Sequence, residues 1–173
     1  NGVVVNPNSF IREIEQIESK GLKTDHVFIS RRAHVIMPYH IQLDTYREEE
    51  QGGTQIGTTK KGIGPCYEDK ISRVGIRMID LLNPEVLREK IEKNLKVKNN
   101  LFEKYFDKPA MDVEEMYQEF LALGERLKDR IVDTELELNE AIQEGKNVLF
   151  EGAQALMLDI DFGTYPYVTS SSP

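Results

Sequence analysis

Gly2-Val3-Val4-Val5-Asn6-Pro7-Asn8-Ser9-Phe10-Ile11 opens on a short apolar run and passes at once to a helix-capping asparagine with proline behind it. Three β-branched residues in a row read as a buried strand, and Asn-Pro is the signature of an N-cap followed by a first helical residue. Strand followed directly by helix is the first half of an α/β unit. Near the other end, Gly145-Lys146-Asn147-Val148-Leu149-Phe150-Glu151-Gly152-Ala153-Gln154 gives the complementary order. There a helix stops at Gly145 and an apolar run too short for another helix follows, which predicts a central parallel strand. Ligands collect just beyond the carboxyl ends of such strands, which places Gln154 as a contact. The two stretches together assign an α/β fold with a mostly parallel sheet.

Between them the pattern is mainly helical. Phe10, Ile11, Ile14 and Ile17 share one face of the first helix, and Gly21 provides its left-handed stop. Two bursts, His26 to Ser30 and His34 to Met37, read as strands, and Tyr39 to Gln51 as a charged helix ending at Gly52-Gly53. Gly52 to Gly75 lacks a period and is rich in glycine, which predicts one long ordered or ligand-ordered loop. Helix resumes near Met78. Asn83-Pro84 repeats the cap-plus-proline signal ahead of Val86, Leu87, Ile91 and Leu95. A separate helix is expected to carry Leu101, Phe102, Tyr105 and Phe106, up to the break at Asp107-Lys108-Pro109. Asp112 with Glu115 forms a capping box before a stripe running from Val113 to Ile131, and Thr134 with Glu137 forms a second one. The helix-rich portion is thus about 76–145, within one partial domain, 1–173.

The 173 residues carry 22 basic and 30 acidic side chains, a net charge of −8. Binding nucleic acid requires a basic face to neutralise phosphates, so a general nucleic-acid binder is excluded as an expectation. The longest apolar runs span only a few residues, against the roughly 20 that a membrane helix needs, so no membrane association is expected. No charged leader precedes an apolar stretch, and one cysteine, Cys66, cannot form an internal disulfide. A reducing, cytoplasmic location is expected.

Positive charge is nonetheless concentrated in one place. Lys60, Lys61, Lys70, Arg73 and Arg77 face only Glu68 and Asp69 in their window, which is +3 where the remainder is −11. Glycines there let backbone N–H groups approach a ligand closely, Thr58 and Thr59 supply hydroxyls, and Arg73 can fork onto a phosphate. The cluster suits a phosphorylated small molecule. The bland alternative is a glycine-rich turn with solvated charges. No Gly-x-x-x-x-Gly-Lys-Ser/Thr pattern occurs, so a triphosphate cradle is not inferred. Asp159 and Asp161 would share a face of an extended segment, but carboxylates bonded to backbone are the commoner case, and no metal site is assigned. His26, His34 and His40 fit packing or hydrogen-bonding roles, and Cys66 lacks a neighbouring histidine to make it a nucleophile.

Two long motifs resemble a known family. The first is Ile56-Gly57-Thr58-Thr59-Lys60-Lys61-Gly62-Ile63-Gly64-Pro65-Cys66-Tyr67-Glu68-Asp69-Lys70, with Arg73 beyond. The second runs from Phe150-Glu151-Gly152-Ala153-Gln154 through Leu158-Asp159-Ile160-Asp161-Phe162-Gly163-Thr164-Tyr165-Pro166-Tyr167-Val168-Thr169-Ser170-Ser171. Both resemble adenylosuccinate synthetase in order and separation, as does the opening Asn-Gly-Val-Val-Val-Asn-Pro. The resemblance implies a fragment of a large, mostly parallel β-sheet enzyme with a helix-rich insertion. It implies a GTP- and Mg2+-dependent ligase of purine biosynthesis that joins IMP and L-aspartate, first phosphorylating the purine 6-oxygen and then displacing the phosphate with the amine. It also implies that Thr59, Arg73, Gln154 and Thr169 contact IMP, with Lys70 and Gln154 as catalytic residues. Arg73 would reach the partner's site in a homodimer.

The departures are local: Ala155-Leu156 stands where Gly-Thr often follows the glutamine, and Ser172-Pro173 where Asn often follows two serines. The family's phosphate loop, catalytic aspartate and histidine, aspartate-recognition loop and guanine-recognition segment have no counterpart in these residues. The resemblance therefore implies an active parent enzyme and an inactive isolated chain. Two other classes stay open, a nucleotide-binding module without chemistry and a dimerisation or scaffold piece built on the helices from Asp112 to Gly145. The nucleotide reading demands that the glycine-rich stretch and the segment around Gln154 line one cavity.

Overall fold

Asn6 Oδ1 accepts the Ser9 amide at 3.0 Å, and with Pro7 as its first residue α1 runs Pro7–Glu18 in the computed structural model, which describes residues 3–51 and 59–172. Ahead of it, β1 (Val4–Val5) pairs in parallel with β3 (His34–Val35), Val4 opposite His34 and Val5 opposite Val35. A second parallel pair joins β2 (Ile29–Ser30) to β4 (Ile131–Val132), with Ile29 opposite Ile131. The class is α/β, with short strands in parallel pairs and helix predominating.

Helix α2 (Pro38–Gln51) packs on α3 (Ile63–Ile71). A 3-10 turn over Met78–Leu82 leads to α4 (Pro84–Lys104), which packs against α5 (Val113–Leu127). Helix α6 (Thr134–Gln143) follows β4. One apolar core joins these layers: Ile11 from α1, Val35 from β3, Tyr39 and Leu43 from α2, Leu87 to Phe102 from α4 and Met116 to Leu127 from α5. Close approach is enforced at Gly124 of α5, where a Cβ would lie 2.3 Å from the Leu81 carbonyl oxygen. Only glycine lets the helix sit so near the 3-10 turn.

Five expectations are corrected. Val148 to Phe150 is not a strand, and Leu149 and Phe150 are 90% and 76% exposed. A strand needs a neighbour to complete its hydrogen bonds, and no described segment pairs with it. The expected loop from Gly52 to Gly75 contains α3, because Gly62 serves as a left-handed cap at φ +74° and Pro65 falls in the first turn, where its missing N–H costs nothing. Gly52 to Thr58 lie outside the described residues. Leu95 and Phe102 belong to one continuous α4, since Lys96 to Asn100 includes no breaker and Leu87, Ile91, Leu95 and Phe102 keep one face. Ile131 is not helical. After α5 the chain tightens into a 3-10 turn at Lys128–Arg130, and Arg130 Nη1 donates to the Val27 carbonyl at 3.2 Å. That tie brings Ile131-Val132 alongside β2, where β-branched residues pair well. Finally, Leu158 to Asp161 turns rather than extends.

Candidate functional site

The first turn of α3 faces a cavity of about 960 Å3. Its start is fixed from α2, because Asp44 Oδ2 accepts the Gly62 amide at 2.9 Å. Gly62 has no room for a side chain: a Cβ would stand 2.8 Å from the His40 carbonyl carbon and from the Ile41 nitrogen. Thr59, Ile63, Gly64 and Tyr67 form one wall of the cavity. Phe150 to Gln154 and Val168 to Ser172 form another, with Val3 and Val4 at the edge of β1 and Asp44 below. The glycine-rich stretch and the segment around Gln154 therefore line one space. The walls nearly touch, since a Cβ on Gly64 would lie 3.4 Å from the Ser170 hydroxyl. Burial pushes the Tyr67 phenol up, against a hydrogen bond with Ser171 that acts the other way.

Thr59, Gln154 and Thr169 are brought together on this cavity. Thr59 and Gln154 are exposed to it and Thr169 is half-buried. Lys70 is not a lining residue. It occupies the last turn of α3, half-buried, with Nζ 5.5 Å from the ring centre of Tyr67, which does line the cavity. Arg73 lies outside, exposed, in a left-handed turn at φ +65°. Thr58 is outside the described residues.

Beneath the cavity α3 is anchored through buried polar groups. Met37 N donates to His40 Nδ1 at 3.0 Å, which leaves Nε2 as the protonated ring nitrogen donating to Asp69 Oδ2, also at 3.0 Å. Lys98 Nζ donates to Asp69 Oδ1 at 2.7 Å. Burial would raise the Asp69 carboxyl, but the hydrogen bonds from His40 and Lys98 overcome it and hold the group below the usual carboxylate range. Burial lowers His40, which stays neutral. Cys66 is 1% exposed, its thiol pushed up to about 12 by burial, and Sγ donates to the Val35 carbonyl at 3.4 Å. So high a value leaves no thiolate for nucleophilic work.

A profile of the adenylosuccinate synthetase family matches residues 1–173. The adenylosuccinate synthetase of Fusobacterium nucleatum is 58% identical over 172 residues, covering 99% of this chain and 40% of that protein. That of Streptococcus sanguinis is 53% identical over 173 residues, with 100% and 40% covered. The solved structure of fully ligated adenylosuccinate synthetase from Plasmodium falciparum superposes with a TM-score of 0.85 at 41% identity, covering 98% of this chain and 39% of that one.

The chain belongs to the adenylosuccinate synthetase family.

It spans about 40% of the length of the curated relatives it matches. The adenylosuccinate synthetase motifs account for the two walls of the cavity, but several of the side chains that anchor α3 beside it carry no local signal. Asp44 reaches Gly62 across 18 residues, and His40 and Lys98 each reach Asp69 across 29. Only an α2–α3–α4 packing arrangement reveals them.

The Asp159 carboxylate is 4% exposed, and its Oδ1 accepts the amides of Asp161 at 2.8 Å and Phe162 at 2.9 Å. It holds a turn together, as a backbone-bonded carboxylate does. Among the described residues no three His, Cys, Asp or Glu side chains converge on a point where a metal ion could be held. The described residues therefore supply no side-chain cluster of their own for Mg2+. Nor is any helix among the described residues long and apolar enough to cross a membrane.

Proposed function

We propose that this chain is the IMP-binding middle part of an adenylosuccinate synthetase, a single partial domain over 1–173, whose full-length form joins IMP and L-aspartate at the expense of GTP. One observation carries this reading: Thr59, Gln154 and Thr169, distant in sequence, line the same cavity. The cavity has the right scale for a nucleotide, since small-molecule sites typically enclose roughly 300–1,000 Å3.

The residues suit an anionic ligand with a polar base. Helix N-termini favour anions, and the first turn of α3 faces the cavity together with the hydroxyls of Thr59, Thr169 and Ser170. These groups bind and orient the nucleotide phosphate. Gln154 can donate and accept at once, as the edge of a purine requires. The Lys70 ammonium, beside Tyr67, adds positive potential at the cavity wall. Arg73, exposed and not among the residues that line its own cavity, serves a neighbouring copy in a homodimer. GTP and Mg2+, held by parts of the longer protein, would supply the chemistry of phosphoryl transfer, and the residues here bind and orient the acceptor nucleotide.

The test uses the full-length protein with IMP, aspartate, GTP and Mg2+, followed by ultraviolet absorbance. Thr59→Ala should raise KM for IMP about tenfold or more, since a hydrogen bond to a charged group contributes about 1.5–3 kcal/mol, and Gln154→Ala, which removes bonds to the neutral base, should raise it about two- to tenfold, since such a bond contributes about 0.5–1.5 kcal/mol. Absence of turnover by the unmodified protein, with saturable IMP binding by calorimetry, would instead identify a binding module without chemistry.

A further inference from the structure

The buried ion pair under α3 bears on Arg73, and the link is visible in the backbone around it. Arg73 lies between two pinned residues. On one side, the Asp69 main-chain carbonyl accepts the amides of Val74 at 3.0 Å and Gly75 at 3.1 Å, which folds the chain back over the end of α3 at Ser72 and Arg73. The Asp69 side chain is tied to α2 through His40 and to α4 through Lys98. On the other side, Asn94, one helical turn before Lys98 on α4, donates to the Val74 carbonyl at 3.0 Å and to the Tyr39 hydroxyl at 3.1 Å. Between these anchors Arg73 takes φ +65°, a conformation that costs a side-chain-bearing residue energy and persists only where the surroundings enforce it.

The ties are shielded from water. The side chains of His40, Asp69 and Lys98 are 0%, 5% and 13% exposed. None of the three lines the cavity.

We propose that Asp69 and Lys98 are positioning residues: their buried pair fixes the left-handed turn from which Arg73 leaves the chain, and so sets where its guanidinium meets the nucleotide phosphate. The inference rests on the reading of Arg73 as a phosphate-binding arginine. A buried pair bonded to two helices resists rotation of α3, so the direction of Arg73 is defined before any ligand arrives. Binding geometry built in advance lowers the cost of binding. Removing the ammonium leaves Asp69 buried with half its partners, and the turn relaxes toward a conformation with negative φ.

The experiment measures steady-state kinetics of the full-length protein carrying Lys98→Met, which keeps most of the stem and removes the charge. KM for IMP should rise about tenfold while kcat stays within about threefold and KM for GTP and aspartate within about twofold. Lys98→Arg should restore KM for IMP to within about threefold. Asp69→Asn with Lys98→Met removes both charges, avoids a lone buried carboxylate and should show the same rise, which covers the case in which the single variant fails to fold. In an Arg73→Ala background, Lys98→Met should add nothing, because it acts through that side chain. Unchanged KM for IMP in both variants overturns the inference, as does full additivity with Arg73→Ala, or a loss of kcat alone, the mark of a merely structural role. If Arg73→Ala itself leaves KM for IMP unchanged, the functional reading of Arg73 fails first, and that outcome is seen in a separate variant.

Discussion

His34 shows how a single residue ties stability to pH. It lies 7% exposed beside Gly75, where a Cβ would come within 2.5 Å of its ring. Burial, then the charges of Arg77, Lys70 and Lys90, lower it from 6.5 to about 4. A histidine kept neutral in the folded state binds protons more readily when unfolded, so its contribution is complete above 6.5 and is lost as pH falls toward 4. Going from pH 7 to pH 5 should cost about 2 kcal/mol from this residue. Urea melts at the two pH values measure it, and His34→Gln should flatten the difference. Arg73 gives a second prediction of the same kind. Arg73→Gly relieves the positive φ and should leave stability equal or up to about 1 kcal/mol higher, while IMP binding weakens. A thermal melt set beside calorimetry separates the two effects. The types of residue in the site were readable from sequence because hydroxyls, an amide and glycines came in long motifs. The direction in which Arg73 leaves the backbone was not, since φ depends on anchors that lie on other helices.

Among the elements, α3 is the one on which the site turns. Gly62→Ala meets both a forbidden conformation and backbone atoms 2.8 Å away, neither of which can yield as a flexible side-chain end would. It should destabilise the protein by about 3 kcal/mol or more and abolish IMP binding, with denaturant titration and calorimetry as the checks. Caps made the starts of α1, α4 and α5 legible: Asn6, Asn83 and Asp112 each accept an amide three residues on. Asp133, rather than Thr134, plays that part for α6, one residue from the sequence reading. Glycine misled at α3, where it caps a helix instead of marking a loop. The short strands were harder still. Ile131 continues the apolar period of α5, and only the Arg130 contact with the segment before β2 shows why the helix stops short of it.

At the scale of the molecule, apolar side chains are distributed unevenly. The core draws on α1, α2, α4, α5 and the strands, whereas Leu149, Phe150, Phe162, Tyr165 and Tyr167 are each more than half exposed. Helix α6 has no buried residue and shows Leu136 and Ile142 to solvent. The α/β class was legible because the class needs only the alternation of elements. The expected strand at Val148 was misread because a sheet position depends on neighbours that its own residues do not encode. The 173-residue chain should be cut first by chymotrypsin between 149 and 167, leaving a resistant piece that ends at Leu149 or Phe150, as read by mass spectrometry. In the longer protein proposed above, the same bonds should be protected. Early cleavage within α4 or α5 would contradict the core described here.

The lone thiol offers a practical consequence. Cys66 is sealed against Val35, and at neutral pH almost none of it is ionised. An alkylating reagent can therefore reach it only when α3 lifts away, so the rate of mass gain in iodoacetamide counts openings of that helix. Because the chain has no other cysteine to label, the trace is unambiguous, and labelling should slow with IMP present if the proposed nucleotide site holds the helix down.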